Sequence, residues 1–198
     1  MKQATGTELL NSIIQNRRSV FPYQFERGRR VPDEIIRQIL DNANRAPTHK
    51  KTEPWRFTVF AGEGLQHFSN LQAVLYTRFA GDKFKETKLL NLTNYPLMSS
   101  HVIAIGMKRN KENAIPEIEE VIATACAIEN IYLTVTAYEL GGYLSTGGIT
   151  YFEESKPYFD LEPADKLLGF FYIGYPAATP AALSKRQPVE DKTKWVVE

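Results

Sequence analysis

From about Glu117 to Leu140 the sequence reads as a single long helix with no broad polar face. Val121, Ala125, Ile128, Tyr132 and Val135 make a stripe of large residues, and Ala123, Ala127, Asn130, Thr134 and Ala137 make a stripe of small ones. A helix that is apolar around most of its circumference has to be covered around most of it. A chain of 198 residues has limited material for that. The small stripe invites close approach of another backbone, either in the chain's own core or from a partner subunit. Gly141-Gly142 is the expected end of the helix.

The remaining segments surround this helix. Thr5-Gly6-Thr7-Glu8 fits a capping box ahead of Leu9, Leu10, Ile13 and Ile14, so a helix should run to about Asn16. Pro32 falls where the first helical residue is expected, Asp33 and Glu34 fill the first turn, and Ile36, Ile39, Leu40 and Ala43 form its buried stripe. Trp55 to Ala61, His101 to Met107 and Leu167 to Tyr175 read as strands, the last two at the centre of a sheet. Helical patterns cover Gly64 to Phe79 and Lys83 to Leu92, the second broken by Tyr95-Pro96. Without regular strand–helix alternation, the expected class is α+β, one domain over residues 1–198.

Several functions are excluded early. With 24 Lys+Arg against 23 Asp+Glu the net charge is +1, too balanced for coating nucleic acid. Glu129, Asn130 and several threonines make the long helix too polar for a membrane span. The lone Cys126 rules out an intrachain disulfide framework, and Met1-Lys2-Gln3 leads into a polar helix rather than a signal peptide. The expected compartment is therefore the cytoplasm. Only His49, His67 and His101 are present, without metal-ligand spacing, and neither a Walker lysine nor Gly-x-Gly-x-x-Gly occurs. Donors without a nucleophile or a metal site suggest that an organic cofactor carries the chemistry.

Four segments could hold such a group. Arg17-Arg18-Ser19 offers two planar donor forks and a hydroxyl, suited to a phosphate or a polyol, although arginines also suit a solvated helix end. The polar loop from Arg45 to Phe57 lies between Pro47 and Pro54 and carries His49, Lys50, Lys51 and Glu53. Gly141 to Gly148 lets backbone approach a flat or charged ligand. Ser184-Lys185-Arg186-Gln187-Pro188 is a basic stretch near the end. Arg27, Arg29 and Arg30 look like an exposed loop.

In this order, Arg17-Arg18-Ser19, Arg45-Ala46-Pro47 through Pro54-Trp55-Arg56-Phe57, the glycine-rich stretch after the long helix, and Gly169 to Pro176 with Lys185-Arg186-Gln187-Pro188 behind it resemble the nitroreductase family of FMN-dependent oxidoreductases. His49-Lys50 is most similar to its compact bacterial branch. The resemblance implies a mainly antiparallel sheet flanked by helices, in an intertwined homodimer with FMN at the subunit interface. It implies an NAD(P)H-dependent reductase that works by a ping-pong cycle on nitroaromatic, quinone or similar small-molecule acceptors, with flavin N5 carrying the hydride. By position, Arg17, Arg18 and Ser19 would hold phosphate, ribityl chain and pyrimidine edge. His49 and Glu53 would lie near the ring, Leu144, Ser145 and Thr146 would line it, and Lys185 and Arg186 would reach the phosphate. Many relatives carry Asn and Gln where this chain has Lys51 and Glu53. A carboxylate only accepts hydrogen bonds, so Glu53 suits flavin N3–H and not a carbonyl. Binding of a flavin without redox turnover, as in a sensor or storage protein, is the alternative from another class, and a ligand-free dimeric scaffold is the plainest.

Overall fold

The computed structural model describes residues 4–112, 115–178 and 186–198. Helix α1 (Gly6–Asn16) opens on the expected capping box, in which Glu8 N–H donates to Thr5 Oγ1 and Thr5 N–H donates to the Glu8 carboxylate. Helix α2 spans Asp33–Ala43, with Pro32 as its N-cap, one residue ahead of the expected position. Strand β1 (Trp55–Ala61) leads to α3 (Glu63–Phe79), α4 (Glu86–Leu97), β2 (His101–Met107) and α5 (Glu117–Ala137). Strands β3 (Gly141–Ser145) and β4 (Lys166–Gly174) complete the set.

The four strands form one sheet in the order β1-β2-β4-β3, every neighbour antiparallel. Because side chains alternate across a strand, the central strands feed two cores. Val102, Ala104, Phe170 and Tyr172 pack with Leu65, Phe68, Leu75 and Leu92 of α3 and α4. Ile103, Ile105, Phe171 and Ile173 pack with Ile36 and Ile39 of α2 and Ala123, Ala127 and Ile131 of α5. Burial on both faces explains why β2 and β4 read as unbroken apolar runs. This is the expected α+β class.

Two expectations need correction, and one open alternative is decided. First, α4 does not break at Tyr95-Pro96 but runs through to Leu97, with Pro96 buried in its last turn. Proline lacks the N–H that would bond the carbonyl four residues back, at Leu92. Gln72 of α3 supplies the missing donor, its Nε2 lying 2.7 Å from the Leu92 oxygen.

Second, α5 ends at Ala137, and Gly141-Gly142 belongs to β3. The cap is made by Glu139, at φ 56°, with Glu139 N–H bonded to Thr136 O and Leu140 N–H to Val135 O. That is a Schellman arrangement without glycine. Gly142 is glycine for space: a Cβ there would lie 2.8 Å from the Phe171 ring and 3.2 Å from Val135 Cγ1.

The small-residue stripe of α5, open between the chain's own core and a partner, meets α2 of the same chain. Asn130 Nδ2 donates to Asn42 O at 3.0 Å, and Asn42 Nδ2 donates to Thr134 Oγ1 at 3.1 Å. The face left open instead carries Ile118 and Ile122, which are 61% and 56% exposed.

Polar groups at the N-terminal end of α5 are fully paired. Glu120 is wholly buried, ion-paired to Arg109 and accepting from Asn110 N–H at 2.9 Å. Asp165 accepts from Arg109 N–H and Glu162 N–H, each at 2.8 Å. Together these tie the exit of β2 to the start of α5 and to the loop before β4.

Candidate functional site

After α1 the chain turns extended at Arg17 and joins the free edge of β3. Ser19 bridges Gly142 in parallel fashion, and Val20 N–H donates to Gly142 O at 2.9 Å. Two of the four candidate segments, Arg17-Arg18-Ser19 and Gly141 to Gly148, are thereby side by side. What fastens them is Tyr132 of α5, a residue the sequence reading assigned to packing alone. Its hydroxyl accepts from Leu144 N–H at 3.0 Å and lies 3.4 Å from Ser19 Oγ. The phenol that accepts the amide proton still has its own proton for the Ser19 contact, in which either hydroxyl can donate. The Arg17 guanidinium carbon stands 5.0 Å over the Tyr132 ring. That guanidinium makes no hydrogen bond or ion pair with any other described residue. A signal for Tyr132 was available: a tyrosine among Val, Ala and Ile on a buried helix needs a partner for its hydroxyl.

Arg18 reaches about one turn further along α5. Its Nε donates to Asn16 O at 3.0 Å, and with Asn16, Val20, Thr136, Glu139 and Leu140 it lines a cleft of about 490 Å³. Both guanidiniums thus flank the C-terminal part of α5, where the helix dipole favours cations.

The His49 segment lies elsewhere. His49 Nδ1 is 2.5 Å from a carboxylate oxygen of Glu119 in the first turn of α5. A carboxylate only accepts, so Nδ1 carries the shared proton and Nε2 faces outward. Glu53 is exposed in the same loop. Lys50, Lys51 and Glu53 all have positive φ, at 49°, 53° and 44°. Left-handed backbone at residues with a Cβ is strained. Here it is held by Thr48, whose Oγ1 contacts Thr52 Oγ1 at 3.0 Å and accepts from Glu53 N–H at 3.2 Å. Trp55 at the start of β1 is buried, with Nε1 donating to Asn44 Oδ1 at 2.8 Å.

Between Glu119 and Tyr132, α5 runs about 20 Å at roughly 1.5 Å per residue. One chain therefore carries two separate clusters, Arg17–Ser19–Leu144 at one part of α5 and His49–Glu53 at the other. Ser145 is buried and Thr146 exposed beyond the end of β3. Arg186 is exposed at the start of the described C-terminal segment, and Lys185 lies outside the described residues.

A serine–histidine–aspartate chain also occurs. His101 is buried, with Nε2 3.2 Å from Asp33 Oδ1 and Nδ1 2.9 Å from Ser100 Oγ. Ser100 Oγ accepts from Val31 N–H at 2.7 Å. With Asp33 accepting from Nε2–H, Nδ1 accepts the serine proton, and the chain of hydrogen bonds fastens β2 to the start of α2. Burial pushes the His101 pKa down, against a smaller upward pull from Asp33.

The architecture coincides with that of a known family. The nitroreductase family model matches residues 14–175, and the chain belongs to that family. Among curated proteins it is 29% identical over 185 residues to "Putative NAD(P)H nitroreductase YfhC" of Bacillus subtilis, covering 93% of this chain and 92% of that one. The structure of a nitroreductase-like family protein from Bacillus cereus superposes with a TM-score of 0.80 at 24% identity, covering 99% and 98% of the two chains. A nitroreductase with bound FMN from Bacteroides fragilis gives a TM-score of 0.65 at 22% identity, covering 96% and 98%. No helix among the described residues is long and apolar enough to cross a membrane.

Proposed function

We propose that this protein is an FMN-dependent reductase that takes electrons from NAD(P)H and delivers them to small acceptors such as nitroaromatics or quinones. The carrying observation is the cluster at β3, where the Arg17 guanidinium has no hydrogen-bond or ion-pair partner among the described residues, Ser19 is exposed, and Leu144 to Thr146 continue along the same edge. Family membership, the NAD(P)H nitroreductase name of the Bacillus subtilis relative and the FMN of the Bacteroides fragilis structure support the same reading.

The donor set fits a phosphorylated flavin. Arg17 and Arg18 would neutralise a phosphate of charge near −2, Ser19 would donate to a carbonyl or polyol oxygen, and Leu144, Ser145 and Thr146 would support the ring. Arg186 would add to the phosphate site. FMN, when bound, supplies a ring that takes a hydride from the nicotinamide and passes two electrons on to the acceptor, in a ping-pong cycle. The chain's own part is to hold the ring, to place donors where negative charge develops on it, and to leave room for two substrates in turn.

The two clusters call for a second copy. His49 and Glu53 would reach the ring held by Arg17 and Ser19 only from a partner subunit, because about 20 Å of α5 separates them in one chain. No residue of α1 is buried, and Leu9, Leu10 and Ile14 lie open, as do Ile118 and Ile122 of α5. Trp195, Val196 and Val197, at 83%, 75% and 84% exposure, form an apolar strip that no described residue covers. Surfaces of this kind mark an interface, and a homodimer buries them while completing two sites.

The test is direct. The purified protein should be yellow, elute as a dimer, and bleach on anaerobic addition of NADH or NADPH. Arg17→Ala should lower FMN affinity far more than Cys126→Ala. A colourless protein that does not take up FMN overturns the proposal, and a yellow one that NAD(P)H never bleaches favours a flavin-binding sensor.

A further inference from the structure

Lys88, in the first turn of α4, has no role in the fold that its surroundings explain. It is half-buried, and its Nζ lies so near Gly147 that a Cβ there would be 2.9 Å from it. No described residue hydrogen-bonds to its amine or forms an ion pair with it. The neighbouring Gly147 carbonyl already accepts from Thr150 Oγ1 at 3.0 Å. Withdrawing an unpaired ammonium from water is unfavourable, and burial accordingly lowers its pKa. The positive end of the α4 dipole adds to the cost. A medium-length polar residue would fill this space without that cost, so the charge itself is what needs explaining.

Its position suggests the partner. Leu144 and Tyr132 belong to the core on the α5 side of the sheet, whereas Leu92, one turn along α4 from Lys88, belongs to the opposite core. The segment Leu144–Gly147 therefore runs from the Arg17 cluster to the Lys88 amine. A cofactor phosphate held by Arg17 and Arg18 would lie at the far end from Lys88. We propose that Lys88 is a specificity-determining residue that receives a carboxylate carried by the aromatic electron acceptor. This rests on the reading of the site given above. The acceptor class it selects is the aromatic acid, taken in preference to its neutral analogue.

The experiment compares 4-nitrobenzoate with the neutral 4-nitrobenzyl alcohol as acceptors, with rates expressed per bound FMN. In Lys88→Gln the ratio of kcat/KM for the acid over the alcohol should fall about 10- to 100-fold, the range of a hydrogen-bonded charge pair. The loss should appear mainly in KM. Lys88→Arg should keep most of the preference. Gly147→Ala, which retains the lysine but displaces its amine, should lower the ratio in the same direction. A ratio unchanged in Lys88→Gln, or one lost equally in Lys88→Arg, overturns the inference. A wild-type protein that holds no FMN, or reduces neither acceptor, overturns the reading of the site before any variant is compared, and the role of Lys88 with it.

Discussion

Replacing Tyr132 by phenylalanine isolates one atom of the candidate site. The ring stays, with its edge-on contact to Phe171 at 4.6 Å between centroids and the Arg17 guanidinium 5.0 Å above it. What goes is the acceptor of Leu144 N–H at 3.0 Å and the contact with Ser19 Oγ at 3.4 Å. Leaving a partly buried N–H unpaired costs about 1–3 kcal/mol. The Ser19 contact is long and adds little, so about 1–2 kcal/mol is expected. With an m-value near 2 kcal/mol/M, that lowers the urea midpoint by roughly 0.5–1 M. The same change should weaken FMN binding by about tenfold, since the edge of β3 and the extended segment from Arg17 to Ser19 lose their common fastening. Urea denaturation of the flavin-free protein and fluorescence titration with FMN measure the two effects separately. A variant within about 0.3 kcal/mol of wild type and with unchanged FMN affinity would refute the role given to the hydroxyl.

Three other outcomes follow from the geometry. Glu120→Ala strands the Arg109 guanidinium and Asn110 N–H in a buried site and should cost about 3–5 kcal/mol in urea unfolding. Gln72→Leu should destabilise by about 1–3 kcal/mol because Leu92 O loses its donor, and should cost less in a Pro96→Ala background, where the helix supplies that N–H itself; a double-mutant cycle reads the coupling. Burial lowers the His101 pKa in the folded state. The unfolded chain therefore takes up the proton first, so His101 contributes its full stability above about pH 6.5 and loses it as pH falls from there. Unfolding midpoints measured between pH 8 and pH 5 should fall more steeply for the wild type than for His101→Gln.

Strands and amphipathic helices were legible because their periodicity states which side is buried. β1 and β2 coincide with their expected ranges, and the capping box places the start of α1. Where the reading failed, one residue type served two purposes. Glycine both ends helices and admits close neighbours, so Gly141-Gly142 looked like a cap while the cap fell to Glu139, a residue with no such signature. Pro96 looked like a stop because its rescue by Gln72 lies in a different helix, 24 residues away in sequence. The small stripe of α5 was ambiguous since α2 and a partner's backbone demand the same side chains; the Asn42–Asn130–Thr134 hydrogen bonds settle it only in three dimensions. For the site, Arg17-Arg18-Ser19 and Leu144 to Thr146 stood out as donor-rich and glycine-flanked segments. Tyr132 hid in an apolar stripe, and the separation of His49 from them is a matter of where α5 runs.

Helix α5 also sets a limit on how the chain can vary in length. Glu119 holds the His49 loop and Tyr132 holds the edge of β3, so any residue inserted between them advances one end by about 1.5 Å and rotates it by about 100° relative to the other. In the proposed dimer, a single insertion would put both flavin sites out of register. Loops such as the one before β4 can grow or shrink without that penalty. Among relatives, gaps should therefore collect outside this stretch, and those within it should come as whole helical turns or as compensating pairs.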